Sequence, residues 1–125
     1  MTSALIFGLA GLEMTAEERA FFRDVQPWGF IVFQRNCANR TQVRALTDSL
    51  RAITGRADTP ILIDQEGGRV ARLKPPEWRL PPAAAIFAAL YERDVETAAE
   101  AALLNSRLIA AELAEVGVNV SCSPC

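Results

Sequence analysis

Four short apolar runs, at residues 4–8, 29–33, 60–64 and 118–120, show no polar alternation. A strand with one wet face alternates with period two, so unbroken runs predict strands covered on both faces, as in parallel sheets. Helix-like stretches fill the gaps between them. Thr15 and Glu18 form a T-x-x-E capping box that offers acceptors to the free amides of a helix start. Phe21, Phe22 and Val25 follow, and Pro27 closes the segment. Asn39, with Gln42 three places on, opens a second helix whose apolar positions Val43, Leu46, Leu50 and Ile53 fall at helical spacing before Gly55 stops it. Asp94 caps the longest helix, in which Val95, Ala98, Ala102, Leu103, Ile109, Ala110 and Leu113 are expected to line one face up to Gly117. The order strand, helix, strand, helix, strand, long loop, helix, strand predicts an α/β fold with right-handed crossovers and a parallel sheet. Pattern alone leaves an open doubly wound sheet and a barrel segment both available.

A chain of 125 residues, half of them apolar, can bury one core, so a single unit is expected. The net charge of -2, from 13 basic and 15 acidic residues with no basic stripe, excludes nucleic acid as the expected partner. The apolar stretch 4–12 has no preceding Lys or Arg and ends at Glu13, which reads as a strand and not as a signal peptide. No stretch approaches the roughly 20 apolar residues of a membrane helix. An odd count of three cysteines makes a disulfide framework improbable, and a reducing cytoplasm is the expected compartment.

Polar chemistry gathers after the third run. Asp64 is placed at the end of that strand, and in parallel sheets the loops leaving carboxyl ends build the site. An ionised carboxylate there accepts from two sugar hydroxyls, or pairs with a nearby arginine to tie down the loop. Glu66 shares a face with Asp64 if the strand continues, roughly 6.6 Å along the backbone. Retaining glycosidases hold two carboxyls about 5 to 5.5 Å apart, but on opposite sides of the scissile bond. Neighbours on one strand project in parallel, so Glu66 is expected to organise the loop instead. Gly67 and Gly68 permit positive φ and close approach of a ligand or of neighbouring chain. Arg69 and Arg72 offer guanidinium forks to an anion, or act as surface cations and partners for the carboxylates.

Residues 66–93 make a connection longer than usual, stiffened by Pro75-Pro76 and Pro81-Pro82. Trp78 within it either stacks on a sugar face or, more commonly, plugs the loop onto the core. Arg35, Asn36 and Cys37 follow the second run and belong to the same loop face, for contact or packing. Cys122 and Cys125 have C-x-x-C spacing, but redox use needs a following helix and zinc needs further ligands. With no histidine and only Cys37 besides, buried strand-end thiols are the better reading, and no metal is expected.

Ile63-Asp64-Gln65-Glu66-Gly67-Gly68-Arg69-Val70, with Arg72 two places on, resembles the D-Q-E-G-G-R-V signature of family 3 glycoside hydrolases. Gly29-Phe30-Ile31-Val32-Phe33-Gln34-Arg35-Asn36 is similar to the family's G-x-I-x-F-x-R-N segment. Leu80-Pro81 matches its R-L-P, and residues 118–124 match its D-x-x-x-A-P strand. The resemblance runs in order along nearly the whole chain, most closely to the bacterial β-N-acetylhexosaminidases. It implies a (β/α)8 TIM-type barrel, cytoplasmic and acting in peptidoglycan recycling. The implied reaction removes terminal non-reducing N-acetylglucosamine from muropeptides with retention, and needs no cofactor.

By the same resemblance Asp64 and Arg72 contact the substrate, while Glu66, Gly67, Gly68 and Arg69 shape the loop. The family's nucleophilic aspartate on a late strand and its acid/base histidine in a K-H-F-P-G-H-G loop have no counterpart here, so no catalytic residue is expected within residues 1–125. A whole barrel takes about 250 residues, and 125 are expected to supply an incomplete N-terminal barrel domain of about four strands. The full-length protein is expected to be monomeric, and the open fragment prone to association. A β-glucosidase-type exo-glycosidase and a catalytically inactive sugar-binding fragment stand as alternatives.

Overall fold

The computed structural model describes residues 1–123. Chain order is β1 (Ser3–Phe7), α1 (Ala16–Val25), β2 (Pro27–Val32), a 3-10 turn (Gln34–Asn36), α2 (Arg40–Thr54), β3 (Ile61–Gly67), β4 (Val70–Ala71), α3 (Ala84–Tyr91), α4 (Val95–Glu115) and β5 (Val120–Cys122). The caps fall where the sequence places them. Thr15 Oγ1 accepts from the Glu18 N–H, and the Glu18 carboxylate accepts from the Thr15 N–H. Asn39 accepts from the Gln42 N–H and Asp94 from the Thr97 N–H, and Gly55 ends α2 at φ 66°. Pro27 does more than close α1: Gln26 turns the chain in the left-handed region, and Pro27 opens β2, a strand position that needs no N–H.

β1, β2, β3 and β5 are parallel neighbours in chain order, with Phe7 opposite Phe30, Val32 opposite Ile63, and Ile63 opposite Ser121. Phe22 of α1, Val43, Leu46 and Leu50 of α2, and Ile109 and Leu113 of α4 share one core with Phe30, Val32, Ile61 and Ile63. The helices therefore cover one face of the sheet. A doubly wound sheet reverses strand order and takes helices on both faces, whereas a sheet that grows in chain order under one helical layer is the wall of a barrel. That geometry decides between the two architectures the pattern left open.

The inner face corrects the expectation of two covered faces. Along β3, Ile61, Ile63, Gln65 and Gly67 are buried, while Leu62, Asp64 and Glu66 are partly exposed. Apolar residues sit on both sides because a barrel strand packs helices outside and the opposite wall inside. Only the outer side is covered among the described residues, and Ile6 is correspondingly 42 % exposed. The face assigned to α4 is also narrower than expected. Ala98, Ile109 and Leu113 are buried, but Val95 and Leu103 are 52 % exposed, as one stripe of the helix meets the sheet.

Residues 66–93 hold more structure than a loop. β4 pairs antiparallel with β3, Gln65 opposite Ala71 and Gly67 opposite Val70, so the sheet is not wholly parallel. α3 follows, unannounced in the sequence because Ala83 supplies no side-chain cap and the helix has no polar face. The last strand begins two residues later than its apolar run. Val118 is buried as a loop residue, and the Asn119 side chain accepts from the Ile61 N–H at 2.7 Å and donates to the Thr59 carbonyl at 3.1 Å.

Candidate functional site

Asp64 lies inside β3 and not at its end, since β4 gives the residues beyond it a partner. Strand alternation then sets Asp64 and Glu66 on the inner face and Gln65 on the helix side. Arg72 Nη2 donates to Asp64 Oδ2 at 2.8 Å, with the two side chains 28 % and 25 % exposed. The ion pair and the open acceptor are thus features of one carboxylate. The contact is single-armed, and Arg72 Nε is buried with no partner among the described residues.

The glycines serve the chain around the pair. A Cβ on Gly67 would stand 2.2 Å from the Pro82 carbonyl oxygen, and one on Gly68 2.7 Å from the Ala83 Cβ. Gly67 and Gly68 also take φ of 109° and 59°, and the Gly68 N–H donates to the Pro81 carbonyl at 2.8 Å. What approaches them is the returning chain, of the two possibilities the sequence left open. Glu66 borders a cavity of about 200 Å³ walled by Phe87 of α3, Asn105 and Ile109 of α4, and Ser123. Arg69 is exposed and makes no ion pair among the described residues.

Trp78 is 4 % exposed and belongs to the core, so its ring is not free to stack on a sugar. The proline-bracketed segment is pinned from both sides. Arg40 Nη2 donates to the Glu77 carbonyl at 2.7 Å, its guanidinium lies 5.7 Å from the Trp78 ring, and Arg79 Nη1 donates to Asn105 Oδ1 at 3.1 Å. Arg35 and Asn36 are also tethers. Arg35 Nε donates to the Leu9 carbonyl at 2.8 Å, and buried Asn36 Nδ2 donates to the Gly11 carbonyl at 2.7 Å, binding the loop after β1 to the loop after β2.

Cys122 stands opposite Asp64 in the β3–β5 register. Burial first, and then the negative charge of Asp64, push its thiol above the ordinary cysteine range. Burial alone pushes Cys37 up to about 11, and its Sγ lies 3.4 Å from the Phe33 carbonyl. Both shifts disfavour the thiolate, the form that redox use of Cys122 requires. Cys125 lies outside the described residues. A larger cavity, about 460 Å³, opens between the starts of α1 and α2 beside Leu12, Arg19 and Gln42. It includes none of the candidate site residues Asp64, Glu66, Gly67, Gly68, Arg69 and Arg72.

Sequence reasoning missed Gln65. Its buried carboxamide accepts from the Arg72 N–H at 2.8 Å and the Leu73 N–H at 3.1 Å, and donates to the Leu73 carbonyl at 3.0 Å. A glutamine inside an apolar strand was the available signal, since a buried amide needs partners.

Parallel strands in chain order, one helical layer, and a half-open carboxylate–guanidinium pair on the inner face define a β/α-barrel segment with a polar site on its axis side. The chain belongs to glycosyl hydrolase family 3: the family's N-terminal domain matches residues 4–125. It is 40 % identical over 122 residues to a beta-hexosaminidase of Xanthomonas axonopodis pv. citri, covering 96 % of this chain and 35 % of that one. A beta-hexosaminidase of Xylella fastidiosa is 39 % identical with the same coverage. Among solved structures, NagZ from Neisseria gonorrhoeae in complex with N-trifluoroacetyl-D-glucosamine superposes with TM-score 0.90 at 30 % identity, over 98 % of this chain and 35 % of that one. A family 3 β-N-acetylglucosaminidase from Paenibacillus sp. str. FPU-7 superposes with TM-score 0.79 at 31 % identity, over 93 % and 21 %. The chain therefore spans about a third of the length of the hexosaminidases it matches.

Proposed function

We propose that this chain supplies the substrate-holding wall of a family 3 β-N-acetylhexosaminidase. The enzyme removes terminal non-reducing β-linked N-acetylglucosamine from muropeptides in the cytoplasm, in peptidoglycan recycling. The observation that carries the reading is the Asp64–Arg72 pair on the inner face of β3. Arg72 engages one carboxylate oxygen through one nitrogen, which leaves Asp64 acceptor capacity for sugar hydroxyls and holds it oriented. The similarity to the N-trifluoroacetyl-D-glucosamine complex supports the sugar class. In this reading Glu66, Gly67, Gly68 and Arg69 shape the loop that frames the pair.

The reaction expected of the whole enzyme is double displacement through a covalent glycosyl-enzyme, with no metal or organic cofactor. Its nucleophilic aspartate and acid/base histidine are assigned outside residues 1–125, which contain no histidine. The same fact favours a second reading for the isolated chain, a sugar-binding piece without turnover. The test compares 4-nitrophenyl N-acetyl-β-D-glucosaminide with 4-nitrophenyl β-D-glucoside as substrates of the protein expressed from the whole reading frame. Preference for the N-acetyl sugar supports the proposal, and preference for the glucoside transfers it to a β-glucosidase-type exo-glycosidase. Binding of N-acetylglucosamine by residues 1–125 without hydrolysis identifies the sugar-holding piece.

A further inference from the structure

β4 ends at Ala71, so the residue that carries the guanidinium has no strand partner of its own. Gln65 takes over where the ladder stops. The Arg72 N–H belongs to the peptide plane before the Arg72 Cα and the Leu73 N–H to the plane after it. One buried oxygen, Gln65 Oε1, accepts from both, at 2.8 and 3.1 Å. Fixing both planes fixes φ and ψ of Arg72, and therefore the direction of its Cα–Cβ bond. The Gln65 Nε2 bond to the Leu73 carbonyl, 3.0 Å, anchors the following plane as well. Gln65 is 2 % exposed and points to the helix side, away from Asp64, so it cannot itself reach a ligand on the inner face. Adjacent positions of β3 thus set both halves of the polar pair: Asp64 directly, and Arg72 through Gln65.

We propose that Gln65 is a positioning residue for substrate binding, acting through the backbone of Arg72. The inference rests on the sugar-holding reading of the Asp64–Arg72 pair. Loss of the carboxamide frees Arg72 to leave Asp64, and the loss falls on substrate affinity more than on turnover. Gln65→Met keeps the length of the side chain and removes all three bonds. In the protein expressed from the whole reading frame it is expected to raise KM for the aryl N-acetylglucosaminide about tenfold, with kcat changed less than about threefold. Hydrogen exchange should accelerate at the Arg72 and Leu73 amides.

The double-mutant cycle separates positioning from general support. In an Arg72→Ala background, Gln65→Met is expected to change KM less than about twofold. The same KM penalty in both backgrounds would overturn the proposal, as would an unchanged KM with a lowered melting temperature. Gln65→Glu retains the acceptor for both amides and carries the test if the Met variant does not fold. A KM within about threefold of wild type, with both amides protected, supports positioning. A tenfold rise with both amides still protected overturns it. Failure of the underlying reading shows separately, as an Arg72→Ala variant with the KM of wild type.

Discussion

Asp64 and Glu66 share the inner face of β3, but among the described residues only Asp64 of the two forms an ion pair. Parallel projection from one strand rules out the flanking geometry of an acid/nucleophile pair, so the two carboxylates should differ sharply in importance. In the protein from the whole reading frame, Asp64→Ala is expected to lower kcat/KM about a hundredfold, from lost charge-assisted hydrogen bonds, and Glu66→Gln less than about fivefold. The reverse ranking would exchange their roles. The Cys122 thiol reports the same charge from the neighbouring strand. Its pKa is raised by burial and then by Asp64, so Asp64→Asn should lower it and increase the thiolate fraction at a given pH. Alkylation of Cys122 by iodoacetamide at pH 8, followed by peptide mass, should therefore be faster in Asp64→Asn than in wild type; an unchanged rate would separate the two groups. Cys37, pushed up to about 11, should stay unmodified there. Since its folded value lies above its unfolded one, its stabilising contribution holds below about pH 9 and is lost as pH rises toward 11.

At the scale of elements, the β3–β4 hairpin and α3 are held together through the two glycines. Gly67→Ala meets a backbone carbonyl at 2.2 Å in a φ that L-residues rarely adopt, and backbone cannot swing aside as a side chain can. The substitution is expected to cost at least about 2 kcal/mol and to lower the melting temperature by several degrees. Gly11→Ala, with nothing within 4 Å, provides the matched control and should be near neutral. Equal effects at the two sites would show that the return of Pro82 and Ala83 does not hold the hairpin. The caps of α1, α2 and α4 were legible because each rests on a side chain three residues from its amide partner, a purely local relation. α3 and β4 were not. One lacks both cap and amphipathic period, and the other is two residues long and exists through its pairing with β3.

For the whole molecule, the free edges of β1 and β5 and the inner face are the unfinished parts of the described wall. Unpaired parallel edges beside apolar residues such as Leu5, Ile6 and Trp28 favour association. Residues 1–125 expressed alone are expected to sediment as oligomers or aggregates at micromolar concentration. A monodisperse, cooperatively unfolding monomer would mean that the wall closes on itself in some other way.

The sequence by itself determined four strands and three helices, their order, the caps of those helices and the segment that bears the polar chemistry, because each depends on residues a few positions apart. It could not say which face of each apolar strand was covered, since helix-facing and axis-facing positions of a barrel wall are both apolar. Only the tertiary structure placed the Arg72 guanidinium on Asp64 and showed Gln65 bonded to the backbone on either side of the Arg72 Cα. That arrangement depends on a hairpin whose partners meet through space, and on a buried amide whose bonds no local pattern encodes.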